Sequence, residues 1–296
     1  MIEVEIDANS GFCGGVIRAI RAAEEHLSEY GGRLYSLGAI VHNEEELARL
    51  EARGLVTVSA GCLPDLDRGP GEPLLIRAHG EPPEVYGRAS SLGYSIIDCT
   101  CPVVLRLQKD IREAYARLGG RGRIVIFGKE GHPEVLGLVG QAGGDVLVVQ
   151  DPEQAVELVG GGALRTDRDI ELFSQTTMNP DGYASLCAYL RGSMKPGARL
   201  VVHDTICRQV ASRHHDLAEF ARGHDAVVFV SGKESSNGKV LFDLCLKANP
   251  RTVHVQSESD LRQGWFRSGD RVGVCGATST PKWLLERVAA AIENLQ

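Results

Sequence analysis

Short apolar runs alternate along this chain with longer amphipathic stretches. The runs at residues 33–37, 74–76, 123–127, 146–149, 199–202, 226–230 and 271–274 are short enough and apolar enough to be buried strands. The stretches at 16–30, 103–118, 210–222 and 282–295 carry apolar residues at helical spacing. Residues 1–7 alternate apolar and acidic side chains, which predicts a first strand and not a cleaved leader. Strands alternating with helices predict an α/β protein with mostly parallel sheets.

Three cysteines open segments of the same kind. Cys13 begins C-G-G-V-I-R, Cys101 begins C-P-V-V-L-R and Cys207 begins C-R-Q-V-A-S-R, each at the start of an amphipathic stretch. Pro102 suits a first helical position. Polar clusters follow at similar range. His42-Asn43, Gly131-His132-Pro133-Glu134 and Ser235-Ser236-Asn237 begin 29, 30 and 28 residues after their cysteines. A third set holds His79, Thr176 and Ser279, at 66, 75 and 72 residues. This layout predicts three small α/β domains, at 1–98, 99–200 and 201–296, in a pseudo-threefold arrangement. Ligands of open α/β sheets sit outside the carboxyl ends of the strands. Three such units would therefore aim their thiols and polar loops at one centre.

Length and composition narrow the chemistry. The chain has 296 residues, which fits two ordinary domains or three small ones. Its 43% hydrophobic and 24% charged content is that of an ordinary globular protein. The net charge of −7 and only 5% aromatic residues argue against nucleic-acid binding. No apolar run is long enough to span a membrane, so a cytoplasmic location is expected. In a reducing cytoplasm the eight cysteines do not form a disulfide framework. Cys62, Cys187 and Cys245 read as buried small hydrophobes, and Cys275 follows a strand with no counterpart in the threefold scheme. Cys99 lies two residues before Cys101. On an extended segment the two face the same way, so Cys99 competes with Cys101 as a ligand. The shared helix-start position favours Cys101, since the helix dipole helps keep a thiolate ionised there.

Three convergent thiolates suit two kinds of centre. One is zinc held by three Cys and one His. The other is an iron–sulfur cluster with three cysteine ligands and one open iron, which binds substrate as a Lewis acid. His42, His79 and His132, with Ser235, Ser236, Asn237 and Ser279, suit an anionic ligand such as phosphate or diphosphate. No Walker-type loop is present. Glu134 reads as a proton donor whose pKa burial would raise, with Thr176 relaying the proton.

The motifs resemble those of the 4-hydroxy-3-methylbut-2-enyl diphosphate reductase (IspH/LytB) family, in order and over essentially the whole chain. They are Gly11-Phe12-Cys13-Gly14-Gly15-Val16, Val41-His42-Asn43, Ala78-His79-Gly80, Thr100-Cys101-Pro102, Gly131-His132-Pro133-Glu134-Val135, Gln175-Thr176-Thr177, Asp204-Thr205-Ile206-Cys207, Ser235-Ser236-Asn237 and Ser279-Thr280-Pro281. The resemblance implies three α/β domains around a 4Fe–4S cluster bound by Cys13, Cys101 and Cys207. It implies a diphosphate held by His42, His79, Ser235, Asn237 and Ser279, with Ser236 and His132 close by. Glu134 would supply the proton and Thr176 would contact the substrate hydroxyl. The implied reaction is reductive loss of an allylic hydroxyl to give isopentenyl and dimethylallyl diphosphates, the last step of the methylerythritol phosphate pathway, with electrons from a ferredoxin or flavodoxin. Cys99, the segment 208–214, Gly238 and the segment 275–278 depart from the family pattern. Two alternatives remain open: a paralogue with the same cluster acting on another substrate, and a zinc or cluster-binding sensor.

Overall fold

The computed structural model describes residues 2–66, 71–143 and 146–295. In chain order the first elements are β1 (Glu3–Ile6), α1 (Gly14–Glu29), β2 (Leu34–Leu37), α2 (Glu44–Glu51) and β3 (Leu55–Val58). Next come β4 (Pro73–Ile76), α3 (Pro83–Ser91), β5 (Ser95–Asp98), α4 (Pro102–Leu118), β6 (Gly122–Phe127), α5 (Pro133–Val139) and β7 (Val146–Val149). Then follow α6 (Pro152–Gly160), β8 (Asp169–Ser174), α7 (Pro180–Ser193), β9 (Leu200–Val202), α8 (Arg208–Arg222) and β10 (Ala226–Val230). The last are α9 (Ser236–Ala248), β11 (Thr252–Val255), β12 (Arg271–Gly276) and α10 (Lys282–Glu293). The strands form three four-stranded sheets, parallel throughout, as the strand–helix alternation predicts. Among the described residues, no helix is long and apolar enough to cross a membrane.

Two compact units account for the chain: Met1–Ser59 with Arg208–Gln296, and Ala60–Cys207. In the first, one sheet has the order β1-β12-β10-β11. Alternate side chains leave its opposite faces. Val228, Val230, Val272 and Val274 pack on Leu284, Leu285, Val288 and Ile292 of α10. Val227, Phe229 and Cys275 meet Leu217 of α8 and Leu241 and Cys245 of α9. A sheet covered on both sides needs apolar residues at every position, which is why these strands read as unbroken apolar runs. Burial of each Val or Leu contributes about 1.5–3 kcal/mol. The edge strand β1 is covered on one side only, so Val4 and Ile6 join that core while Glu3 and Glu5 stay exposed. The same unit holds the parallel pair β2–β3.

The second unit holds the parallel pair β4–β5 and a sheet of order β7-β6-β8-β9. Val125, Phe127, Ile170 and Leu172 face Leu186 and Leu190 of α7, while Ile124, Ile126 and Phe173 face Leu107, Ile111 and Ala114 of α4. Within the span 1–98, β1 pairs with β12 and not with β2–β5. Apolar alternation identifies β1 as a strand but carries no information about a partner as distant in sequence as β12.

Candidate functional site

Each of the three cysteines follows one strand of a parallel pair. Cys13 follows β1, which pairs with β12; Cys101 follows β5, which pairs with β4; Cys207 follows β9, which pairs with β8. Because the strands are parallel, the loop after one meets the loop after its neighbour. The Cys13 amide donates to the Thr278 carbonyl (3.1 Å), the Cys101 amide to Ala78 (3.0 Å) and the Cys207 amide to Thr176 (2.9 Å). Every cysteine is thus bonded to a loop of the third polar set. The partner is the loop of the neighbouring strand, not the one that comes later in the same third of the sequence.

Cys13 and Cys101 occupy the N-cap positions of α1 and α4, and neither side chain caps its helix. Cys207 directly precedes α8. All three are half-buried, and no disulfide joins any of the eight cysteines. The other five differ. Cys99 is 2% exposed, so it does not share the environment of Cys101, contrary to the expectation from simple extension. Cys187, Cys245 and Cys275 are buried, and burial pushes the thiols of Cys187 and Cys275 up, away from ionisation. Cys62, expected to be buried, is exposed on a short helical turn because only Leu63 of that segment faces inward.

In the first unit the polar loops are tied to one another. Ser235 caps α9, accepting from the Gly238 amide (3.0 Å), and its hydroxyl lies 3.0 Å from that of Ser279. The Asn237 amide nitrogen donates to Thr278 Oγ1 (2.9 Å), while its Oδ1 is buried without a hydrogen-bond partner. Ser236 is the first residue of α9 and half-buried. Asn43 caps α2 by accepting from the Glu46 amide (3.0 Å), which leaves His42 half-buried just outside the helix. Gly232 closes this arrangement. A Cβ there would stand 2.6 Å from the His42 carbonyl and 2.5 Å from Glu44 Oε2. The Lys233 amide donates to the other Glu44 oxygen (3.2 Å).

In the second unit, His132 caps α5 by accepting from the Glu134 amide at Nδ1 (3.2 Å). In its neutral form that ring therefore carries its proton on Nε2. The His79 and His132 rings meet edge to face, 5.4 Å between centroids. Glu134 sits in the first turn of α5, yet its carboxyl turns to Thr176. Oε1 accepts from the Thr176 amide (2.7 Å) and Oε2 from the Thr176 hydroxyl (2.8 Å). Glu134 is 1% exposed and no cation is among the influences on its pKa. Burial outweighs the two hydrogen bonds and raises its pKa from 4.5 to about 7. A carboxyl of this kind still carries its proton in a large share of molecules near neutral pH, with a hydroxyl beside it.

Gly232, Glu46 and Arg213 went unnoticed in the sequence. Glu46 is buried and joins Arg49 and the Trp283 indole (2.8 Å), steadying α2 behind His42. Only the Asn43-x-x-Glu46 spacing of an N-terminal cap hints at it.

The sequence model of the family described as LytB protein matches residues 4–293. A relative from Bacteroides thetaiotaomicron, named 4-hydroxy-3-methylbut-2-enyl diphosphate reductase, is 47% identical, covering 100% of this chain and 99% of its own length. A solved (E)-4-hydroxy-3-methyl-but-2-enyl diphosphate reductase, described as the terminal enzyme of the non-mevalonate pathway, is 31% identical with a TM-score of 0.69, covering 99% of this chain and 100% of that one. The reductase of Plasmodium falciparum superposes with a TM-score of 0.84 at 24% identity, covering 98% of this chain and 87% of its own, a likeness of fold.

Proposed function

Because this chain belongs to the LytB protein family, we propose that it is a cytoplasmic 4-hydroxy-3-methylbut-2-enyl diphosphate reductase. The reaction replaces the allylic hydroxyl with hydrogen, consuming two electrons and two protons and releasing water, to give isopentenyl and dimethylallyl diphosphates. The observation that carries the reading is the buried Glu134–Thr176 couple, a carboxyl whose pKa burial raises with a hydroxyl beside it to relay the proton.

Cys13, Cys101 and Cys207 are the proposed ligands of a 4Fe–4S cluster. The fit rests on the donors: half-buried thiols at helix starts, of which Cys13 and Cys101 leave their helices uncapped, in contrast to the deeply buried thiols of Cys187 and Cys275. When bound, the cluster supplies one electron at a time from a ferredoxin or flavodoxin and an open iron for the hydroxyl oxygen. Everything else falls to the protein. The protonated Glu134 donates from Oε2 to Thr176 Oγ1, which frees the Thr176 proton for the departing hydroxyl. His42, His79 and His132 offer cationic or N–H donors to the diphosphate. Of the paired Ser235 and Ser279 hydroxyls, one proton links the two and the other is left for an anionic oxygen. The unpartnered Asn237 Oδ1 supports the same use. Turning the amide over lets Thr278 donate to the oxygen and releases the NH2 towards the ligand. Ser236 adds a hydroxyl at the start of α9.

Purification without oxygen tests the proposal. The expected product is a brown protein with about four iron and four sulfide per chain. With a chemical reductant it should consume the C5 allylic diphosphate. A colourless zinc protein, or a cluster protein inert towards that substrate, would overturn it.

A further inference from the structure

A buried ionic knot lies behind the Cys13 loop. Arg213 of α8, 6% exposed, donates from Nη1 to Asp7 Oδ2 (2.7 Å). Its Nη2 donates to Ser10 Oγ (3.0 Å) and to the Gly276 carbonyl (3.2 Å). Ser10, 3% exposed, donates its hydroxyl proton to Asp7 Oδ2 (2.7 Å) and accepts from the Gly276 amide (2.9 Å). One guanidinium and one hydroxyl therefore join the end of β1 to the end of β12. Three residues beyond Ser10 stands Cys13, and three beyond Gly276 stands Ser279. The two loops meet at the Cys13 amide and the Thr278 carbonyl.

We propose that Arg213 is a positioning residue that sets the Cys13 loop in register with the Thr278–Ser279 loop. The inference rests on the roles of Cys13 and Ser279 given above. The physical ground is the planar fork of the guanidinium, which reaches a carboxylate, a hydroxyl and a carbonyl at once in a fixed geometry. An ammonium reaches one or two of them. A buried charge pair of this kind adds little net stability over apolar packing, whereas it does fix relative position. Its place behind the Cys13 and Ser279 loops, with its bonds made to Asp7, Ser10 and Gly276, marks the knot as a brace.

The test uses Arg213→Met, Arg213→Lys and Ser10→Ala in the full-length chain. Before cluster insertion, alkylation of Cys13 and Cys101 by iodoacetamide is followed by peptide mass spectrometry. After insertion, KM and kcat for the C5 allylic diphosphate are measured with a chemical reductant. In Arg213→Met, loss of the charge-assisted bonds should speed Cys13 alkylation about tenfold and leave Cys101 unchanged. KM should rise about tenfold while kcat falls less. Arg213→Lys should recover part of both effects. Ser10→Ala keeps the Asp7–Arg213 pair, so it decides the matter if Arg213→Met does not fold, and it should shift both readouts in the same direction. Equal acceleration of both thiols, an unaltered Cys13 rate, or an unaltered KM overturns the proposal. Failure of the unsubstituted chain to turn over the diphosphate counts against the proposed function alone, because the thiol comparison needs neither cluster nor substrate.

Discussion

The main-chain amide and the hydroxyl of Thr176 take one oxygen each of the buried Glu134 carboxyl, at 2.7 and 2.8 Å. Two donors favour the carboxylate and full burial opposes it, and burial wins. Replacement by Gln keeps the shape and removes the exchangeable proton. Glu134→Gln should retain iron and bound substrate yet lose about 10²–10⁴-fold in kcat, the usual worth of a general acid. Single-turnover kinetics on the loaded enzyme checks this, and near-normal turnover would remove Glu134 from the reaction.

The same carboxyl makes stability depend on pH. Its folded pKa is about 7 and its ordinary value 4.5, so its contribution to stability is complete below about 4.5 and disappears as pH rises through about 7. Charging it in place costs on the order of 3 kcal/mol by pH 8. Glu134→Gln should therefore melt above the parent at pH 8, with the difference vanishing below pH 4.5. Parallel melting curves at all pH values would show that the carboxyl is not held neutral.

Thr176→Val removes the hydroxyl and keeps the amide. The bonds from Thr176 lower the Glu134 pKa, so losing one raises it further. The alkaline limb of the pH–rate profile should move to higher pH while kcat drops about 10–100-fold for want of the relay. A drop without that shift would confine Thr176 to substrate contact.

Cys99→Ser and Cys101→Ser separate two thiols that sequence spacing alone leaves in competition. Cys99 is sealed in the core and Cys101 stands half-exposed at the head of α4. Iron content per chain should fall to a small fraction in Cys101→Ser and stay near the parent in Cys99→Ser. The opposite result would reassign the ligand.

Gly232→Ala tests the packing behind His42. The added methyl meets the His42 carbonyl and the Glu44 carboxylate, so the 42–44 loop must shift. Overpacking of this sort costs about 1–3 kcal/mol. KM for the diphosphate should rise while iron content holds, and an unchanged KM would show that this contact does not set His42.

Periodicity and local spacing exposed the α/β class, the helix starts at Cys13, Cys101 and Cys207, and the polar loops with Glu134 and Thr176. These are local signals: an apolar run, a proline at a first turn, a polar cluster after a strand. The cross-connections were hidden for the opposite reason. Nothing in Glu3-Val4-Glu5-Ile6 points to β12, and without that pairing Cys13 cannot be placed beside Thr278. Arg213 reads as one more cation on an amphipathic helix until Asp7 and Ser10 close around it. Gly232 reads as an ordinary turn glycine until the His42 carbonyl is found against it.

The edge position of β1 also orders events during synthesis. Ala60–Cys207 is one continuous stretch, whereas the unit containing Cys13 is assembled from both extremities of the polypeptide. The chain reaches β12 only after every other strand has been made, so the pairing that seats β1 forms late in synthesis. Until β12 is in place the Cys13 amide lacks the Thr278 carbonyl, and the Cys13 loop takes its structure only afterwards.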